Sequence, residues 1–246
     1  MFQVWDAVTG EIRPLAKAIP TGRGIALELR LEPWQSCFIV FDKEERAADK
    51  PDIIRPDFPD FGAIMTFDGP WRVAFDPAWG GPRRAAFGRL EDWSKRPESG
   101  IRHYSGIATY SRSFNIPQQR LGGGAKLFLD LGTVRELARV RLNGKDLGVL
   151  WTAPWRVEIT EAVRPGGNRL EIDVANLWPN RLIGDEELPD DGIKGGRWPD
   201  WLLDGTPRTS GRFTFTTHRY YKKGDPLLPS GLLGPVTIVS PAAGVR

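Results

Sequence analysis

The chain has 246 residues, of which 40% are hydrophobic and 26% charged, and its formal net charge is only +3. That length buries a proper core, either as one large β domain or as a small domain followed by a larger one. Lys and Arg alternate with Asp and Glu throughout, so no basic block tracks a phosphate backbone, and no apolar run approaches a membrane span, which excludes nucleic acid and membrane as expected partners.

The first residues, MFQVWDAVTGE, lack a basic stretch followed by an apolar core and do not form a signal peptide. A cytoplasmic protein, or a piece of a longer secreted precursor, is expected. Ile25 to Leu31 alternates at period two and reads as a strand. Cys37 to Phe41 is a continuous apolar run, expected as a fully buried strand. Cys37 is the single cysteine, so no intramolecular disulfide forms, and it is read as a small core hydrophobe. Residues 1–45 therefore form a short β segment. Residues 46–61 combine charge with proline and read as a linker.

The remaining residues, 62–246, carry the larger domain. Trp71 to Phe75 resumes the strand pattern, and residues 88–99 allow one short helix, limited by Pro97. Gly106 to Phe114, Lys126 to Leu131 and Ala138 to Leu142 are strands. Asn143-Gly144 is a strong hairpin signal, because a type I′ turn needs positive φ at both positions, and Asp146 to Leu150 returns from it. Trp155 to Ile159, Leu170 to Val174, Phe213 to Thr216 and Val236 to Val239 complete the set. Gly122-Gly123-Gly124 follows no strand and opens no helix, so it is a turn and not a phosphate loop. Many short strands, 28 Gly, 21 Pro, 10 Trp and 12 Phe together indicate an all-β jelly-roll sandwich preceded by the short β segment.

The segment Asn176–Asp191, NLWPNRLIGDEELPDD, stands apart. It reads as a loop that packs a Trp, two Asn, an Arg and five acids into sixteen residues. Flat rings stack on sugar C–H faces, while amides, guanidinium and carboxylates bond hydroxyls. Asp185, Glu186 and Glu187 are candidate catalytic carboxylates for glycoside hydrolysis, which needs two carboxyls at roughly 5–9.5 Å and one with a raised pKa. A solvated or Arg-paired acidic loop is the competing reading, and Ca²⁺ is the one cation that such hard oxygens suit. Candidate sugar contacts are Trp151, Trp155, Asn176, Trp178, Asn180, Arg181, His103, Tyr104 and Trp198. Arg181, Arg208 and Arg212 are read first as partners for the acids. His103 and His218, with one Cys, form no zinc pattern, so no metal or other cofactor is expected. No G-x-S-x-G marks a serine nucleophile.

Several of these stretches occur in a familiar order: Gly69-Pro70-Trp71, Tyr104-Ser105-Gly106, Leu129-Asp130-Leu131-Gly132, Val140 to Gly144, Leu147-Gly148, Trp151, and Gly167 to Leu170. This order resembles the galactose-binding-like jelly-roll domain of family 2 glycoside hydrolases. More narrowly, NLWPNRLIGDEELPDD, LLPSGLLGPV (227–236) and VWDAVTGEIRPL (4–15) resemble the C-terminal region of family 106 glycoside hydrolases, the α-L-rhamnosidases. The resemblance implies a carbohydrate ligand. It also implies that the chain accompanies a catalytic (β/α)₈ barrel it does not contain, so no catalytic residue of that family carries over to a position here. A compact free-standing glycosidase using Asp185–Asp191 is the alternative, and an opening Met1 favours a self-standing chain.

Overall fold

The computed structural model describes residues 2–15, 18–41, 59–121 and 124–242. In chain order the strands are β1 (Phe2–Asp6), β2 (Ile12–Pro14), β3 (Ala18–Thr21), β4 (Gly24–Leu27), β5 (Cys37–Phe41), β6 (Phe61–Thr66), β7 (Trp71–Ala74), β8 (Ala85–Phe87) and β9 (Ile107–Ile116). They continue as β10 (Phe128–Asp130), β11 (Thr133–Arg135), β12 (Leu137–Leu142), β13 (Lys145–Leu150), β14 (Arg156–Glu158), β15 (Gly166–Ala175), β16 (Gly231–Gly234) and β17 (Thr237–Pro241). Four short helices lie between them: α1 (Ser99–Arg102), α2 (Gln118–Leu121), α3 (Pro179–Asp185) and α4 (Asp200–Leu203).

The body is a sandwich. A six-stranded antiparallel sheet runs β13-β12-β15-β9-β7-β8, and a four-stranded sheet runs β14-β10-β17-β6. Period-two alternation decides which side chains enter the space between them. In β15, Leu170, Ile172 and Val174 point inward while Arg169, Glu171 and Asp173 point out; in β9, Ala108, Tyr110 and Phe114 do the same against Thr109, Ser111 and Ser113. With Trp71, Trp93, Leu129, Val140 and Ile238 they form one core. The all-β jelly-roll expectation is met.

The Asn143-Gly144 turn is as expected. Both residues have positive φ, +54° and +82°, and Leu142 pairs with Lys145 across the turn. Other expectations are corrected. Cys37–Phe41 is a strand but not buried, because it lies at the edge of a three-stranded sheet, β2-β1-β5, which leaves Phe38 and Phe41 exposed. Cys37 is itself only half-buried. The strand from Ile25 stops at Leu27, where its partner β3 begins at Ala18. The helix expected within 88–99 is replaced by a 3₁₀ turn at Trp93–Lys95 and by α1, which starts beyond Pro97. Phe213–Thr216 is not a strand, since the N–H groups of Phe213 and Thr214 donate to the Asp185 carboxylate and not to a neighbouring strand. The linker expected at 46–61 falls mostly on residues outside those described.

At the centre of the core, Trp93 Nε1 donates to the Tyr110 hydroxyl at 2.6 Å, and the Leu232 N–H donates to the same oxygen at 3.3 Å. Burial pushes the Tyr110 phenol well above its ordinary pKa. Tyr110→Phe leaves two buried donors without an acceptor, and is expected to cost about 1–3 kcal/mol in a urea denaturation series. A stability equal to wild type would show that these donors find other partners.

Candidate functional site

The segment singled out in the sequence is not a loop at its centre. α3 forms over Pro179–Asp185, with proline in its first turn, where the missing N–H has no helical partner anyway. Asn180, Arg181, Ile183, Gly184 and Asp185 are buried along it. The signals for this helix were Pro179 at the start and the i,i+4 pair Arg181–Asp185.

The two asparagines fasten this segment to the rest. Asn176 receives the Gly106 N–H at 3.0 Å and donates to the Tyr104 carbonyl at 2.8 Å and to Ser230 Oγ at 3.2 Å. Asn180 donates to Leu228 O at 2.8 Å and to Ser230 Oγ at 3.0 Å, and accepts from Leu228 N at 2.8 Å. Ser105 Oγ donates to Leu177 O and accepts from Arg181 N. These polar groups are satisfied internally. Tyr104 is buried too, its hydroxyl accepting from Asp76 N and donating to Ile107 O.

The acids are paired almost one for one with arginines. Arg181 Nε lies 3.0 Å from Asp185 Oδ1, though without hydrogen-bond alignment, and its guanidinium covers the Phe213 ring at 4.7 Å. Asp185 Oδ2 accepts from Phe213 N, Thr214 N and Thr214 Oγ1. Arg212 pairs with Glu186 at 2.7 Å, Arg208 with Asp191 at 2.6 Å, and Arg219 with Asp190. The Arg208 hydrogen bond holds Asp191 below the usual carboxylate range, and the Gly192 N–H does the same for Asp190. Burial lowers Arg181. Between α3 and residues 208–221, Glu186, Asp190, Asp191, Arg208, Arg212 and Arg219 line a cleft of only about 70 Å³. That admits a few ordered waters, at about 10–15 Å³ each, and falls short of the roughly 300 Å³ at the small end of ligand sites. Among the described residues no three His, Cys, Asp or Glu are grouped to hold a metal.

His103 is buried beneath α3, where a Cβ on Gly184 would come within 2.6 Å of its ring and of Arg181 Nη2. Its Nδ1 shares a contact with Ser99 Oγ at 3.3 Å, and its Nε2 faces Glu187 at 3.9 Å. Burial lowers its pKa, Arg102 and Arg181 add to that, and Glu187 and Asp185 oppose it.

The tryptophans divide. Trp155 is half-buried against the core. Trp198 is exposed and packs on Phe215 at 5.8 Å. Trp178 is 50% exposed, edge to face with Trp79 at 5.3 Å. Trp151 is 57% exposed and directly follows β13, whose last residue, Leu150, pairs with Ala138. Leu137 pairs with Ala175 and Ala175 with Ile107. Leu137, Ala175 and Ile107 thus form one outward rung at the end of the six-stranded sheet, and Trp151 follows the last residue of the adjoining strand β13. Leu177 and Trp178 continue from it, all exposed except the half-buried Ala175. Trp79, Leu137 and Ile107 were not singled out in the sequence; the ring contact with Trp178 reveals the first and the cross-strand register the other two.

Residues 101–203 match the family described as glycosyl hydrolase 2 galactose-binding domain-like. Over 174 residues the chain is 47% identical to a protein of Formosa agariphila named as a candidate β-glucuronidase, covering 69% of this chain and 15% of that one. It superposes on a rhamnosidase from Novosphingobium sp. PP1Y with a TM-score of 0.76 and 36% identity, covering 97% of this chain and 20% of that one. The chain therefore spans a small part of each of these proteins. It is a galactose-binding-like β-sandwich related to glycoside hydrolases.

Two outcomes follow from the buried charges. Asp185→Ala leaves Arg181 buried beside no carboxylate and is expected to cost about 3–5 kcal/mol in chemical denaturation. The second concerns His103, whose folded pKa is depressed, so that the unfolded chain takes up that proton first. The stability tied to it is complete above the unfolded value, about 6.5, and is lost as pH falls from there through the folded value. Denaturation midpoints should drop between pH 7.5 and 5, and His103→Gln should flatten that part of the slope. An unchanged slope in the variant would place the titrating group elsewhere.

Proposed function

We propose that the chain is the carbohydrate-binding β-sandwich module of a glycoside hydrolase of the family 106, α-L-rhamnosidase type, and that it takes sugar on the rim formed by Trp178, Trp79, Trp151, Leu137 and Ile107. The observation that carries this reading is the exposure of Trp178, Trp79 and Trp151 beside the outward Leu137 and Ile107, next to a segment whose asparagines are hydrogen-bonded inward. Monomeric proteins rarely leave contiguous apolar surface open without a use for it. An indole offers a large flat face for a sugar's C–H side and one N–H donor. Asn176, Asn180 and Arg181 act from beneath, fixing the segment that presents Trp178.

Asp185 and Glu186 are, in this reading, braces, and Glu187 faces His103 at 3.9 Å. Asp185 accepts from Phe213 N, Thr214 N and Thr214 Oγ1, and Glu186 pairs with Arg212, so both hold the segment at 212–214 in place. The likeness to a rhamnosidase and to a candidate β-glucuronidase supports a place beside a catalytic domain that this chain does not supply.

Calorimetric titration with α-L-rhamnosides, β-galactosides and β-glucosides tests the proposal. Trp178→Ala and Trp151→Ala are each expected to weaken binding roughly tenfold, about 1.4 kcal/mol, with the fold intact. Aryl glycosides of the same sugars are expected to resist hydrolysis by the wild-type chain. Turnover that disappears in Glu186→Ala or Glu187→Ala would overturn the binding-module reading in favour of a compact glycosidase.

A further inference from the structure

A second feature lies on the outer face of the same six-stranded sheet. Arg72, Ala74, Arg84, Ala86 and Ser111 line an open trough of about 460 Å³ near its β7-β8 edge, a volume within the range of ligand sites. Strand register explains it. Arg72 lies opposite Ala86 on one side and Ser111 on the other, and Ala74 lies opposite Thr109. The alanines leave a low floor between two long cationic side chains.

The charge of the trough is unlike that of the rest of the face. Across β9, β15, β12 and β13 every outward arginine of the ladder has a carboxylate: Arg139 with Asp146 at 2.5 Å, Arg141 with Asp173 at 2.6 Å, Arg169 with Glu171 at 2.8 Å. Arg72 and Arg84 have no side-chain hydrogen bond or ion pair among the described residues, and no Asp or Glu lines the trough. Two uncompensated planar guanidiniums, each able to take a carboxylate with two parallel hydrogen bonds, stand one strand and two residues apart, on the order of 8 Å.

We infer that this trough binds the carboxylates of an acidic glycan, one bearing uronic acid units. The inference rests on the carbohydrate reading above and adds the charge class of the ligand. The trough also adjoins the apolar rim: Ile107 and Ser111 are four residues apart on β9, roughly 13 Å. One extended chain can therefore reach both.

The test is titration of the full chain with trigalacturonate, with its fully methyl-esterified form, and with the neutral sugars used above. The acid form is expected to bind at least tenfold more tightly than the ester, to weaken as salt rises from 0.05 to 0.5 M, and to weaken at least tenfold in the Arg72→Ala/Arg84→Ala double variant. Neutral-sugar binding and the urea midpoint of that variant should match wild type. Equal binding of acid and ester, or an unaffected double variant, overturns the trough while leaving the rim reading intact. A short single-stranded DNA that competes as strongly as trigalacturonate also overturns it, in favour of general polyanion attraction. Failure of every glycan, charged and neutral, to bind overturns the carbohydrate reading and this inference with it.

Discussion

One buried hydroxyl ties the working end of the molecule together. Ser230 Oγ accepts from Asn176 and Asn180 and donates to Leu228 O, so all its capacity is filled. Its own N–H donates to Asp92 Oδ1, and its carbonyl accepts from Trp93 N. Three stretches far apart in sequence thereby meet at one residue: the turn around Trp93, the exit of β15 into α3, and the chain returning into β16. An unpaired polar group at this depth is costly, so these stretches hold one arrangement. The position of Trp178 is fixed by it, because Trp178 lies between two of the fastened residues.

The same logic sorts the charges. The stretch from Asp185 to Asp191 is rich in acids, yet the arginines of the following segment return to meet them. The Gly192 N–H and the Arg208 hydrogen bond hold Asp190 and Asp191 below the usual carboxylate range, and each paired carboxylate has a fixed position, which suits a brace holding an irregular segment of chain. Residues 204–230 contain no strand or helix of their own, and their order comes from these pairs, from Arg208 over Trp201 at 4.4 Å, and from the Asp185 bonds to Phe213 and Thr214.

Much of the sandwich was legible because alternation is a local signal. β9 and β15 each run for ten residues, and every second side chain declares its face. Asn143-Gly144 was equally readable, since few residue pairs tolerate its backbone. What failed were inferences that depend on partners. Cys37–Phe41 has the composition of a core strand, but burial requires something on both faces, and a three-stranded sheet supplies too little. Phe213–Thr216 has strand-forming residues, but its N–H groups are claimed by a side chain 28 positions away. At the candidate site, the residue types were visible and their roles were not. Asn176, Asn180 and Arg181 are chemically suited to sugar hydroxyls, and only the coordinates reveal that they face inward.

The outer face of the six-stranded sheet is free to differ from its inner face because side chains alternate. Nothing in the core constrains Arg72, Ala74, Ile107 or Leu137, while their neighbours Val73, Ala108 and Ala138 are fixed by packing. A sheet that needed only a solvated outer face would carry compensated charge throughout, as the ladder from Arg139 to Glu171 does. This face instead has three zones: a paired-ion field across β12, β13 and β15, an apolar rim at one end, and an uncompensated cationic trough at one edge. The ion field is electrically closed and flat, so it attracts little. The rim and the trough meet along β9, and under the proposals made above they take different parts of one ligand, the C–H face of a sugar ring and the carboxylate of an acidic one. Their adjacency, set by strand order, is the physical reason to treat them as one extended surface.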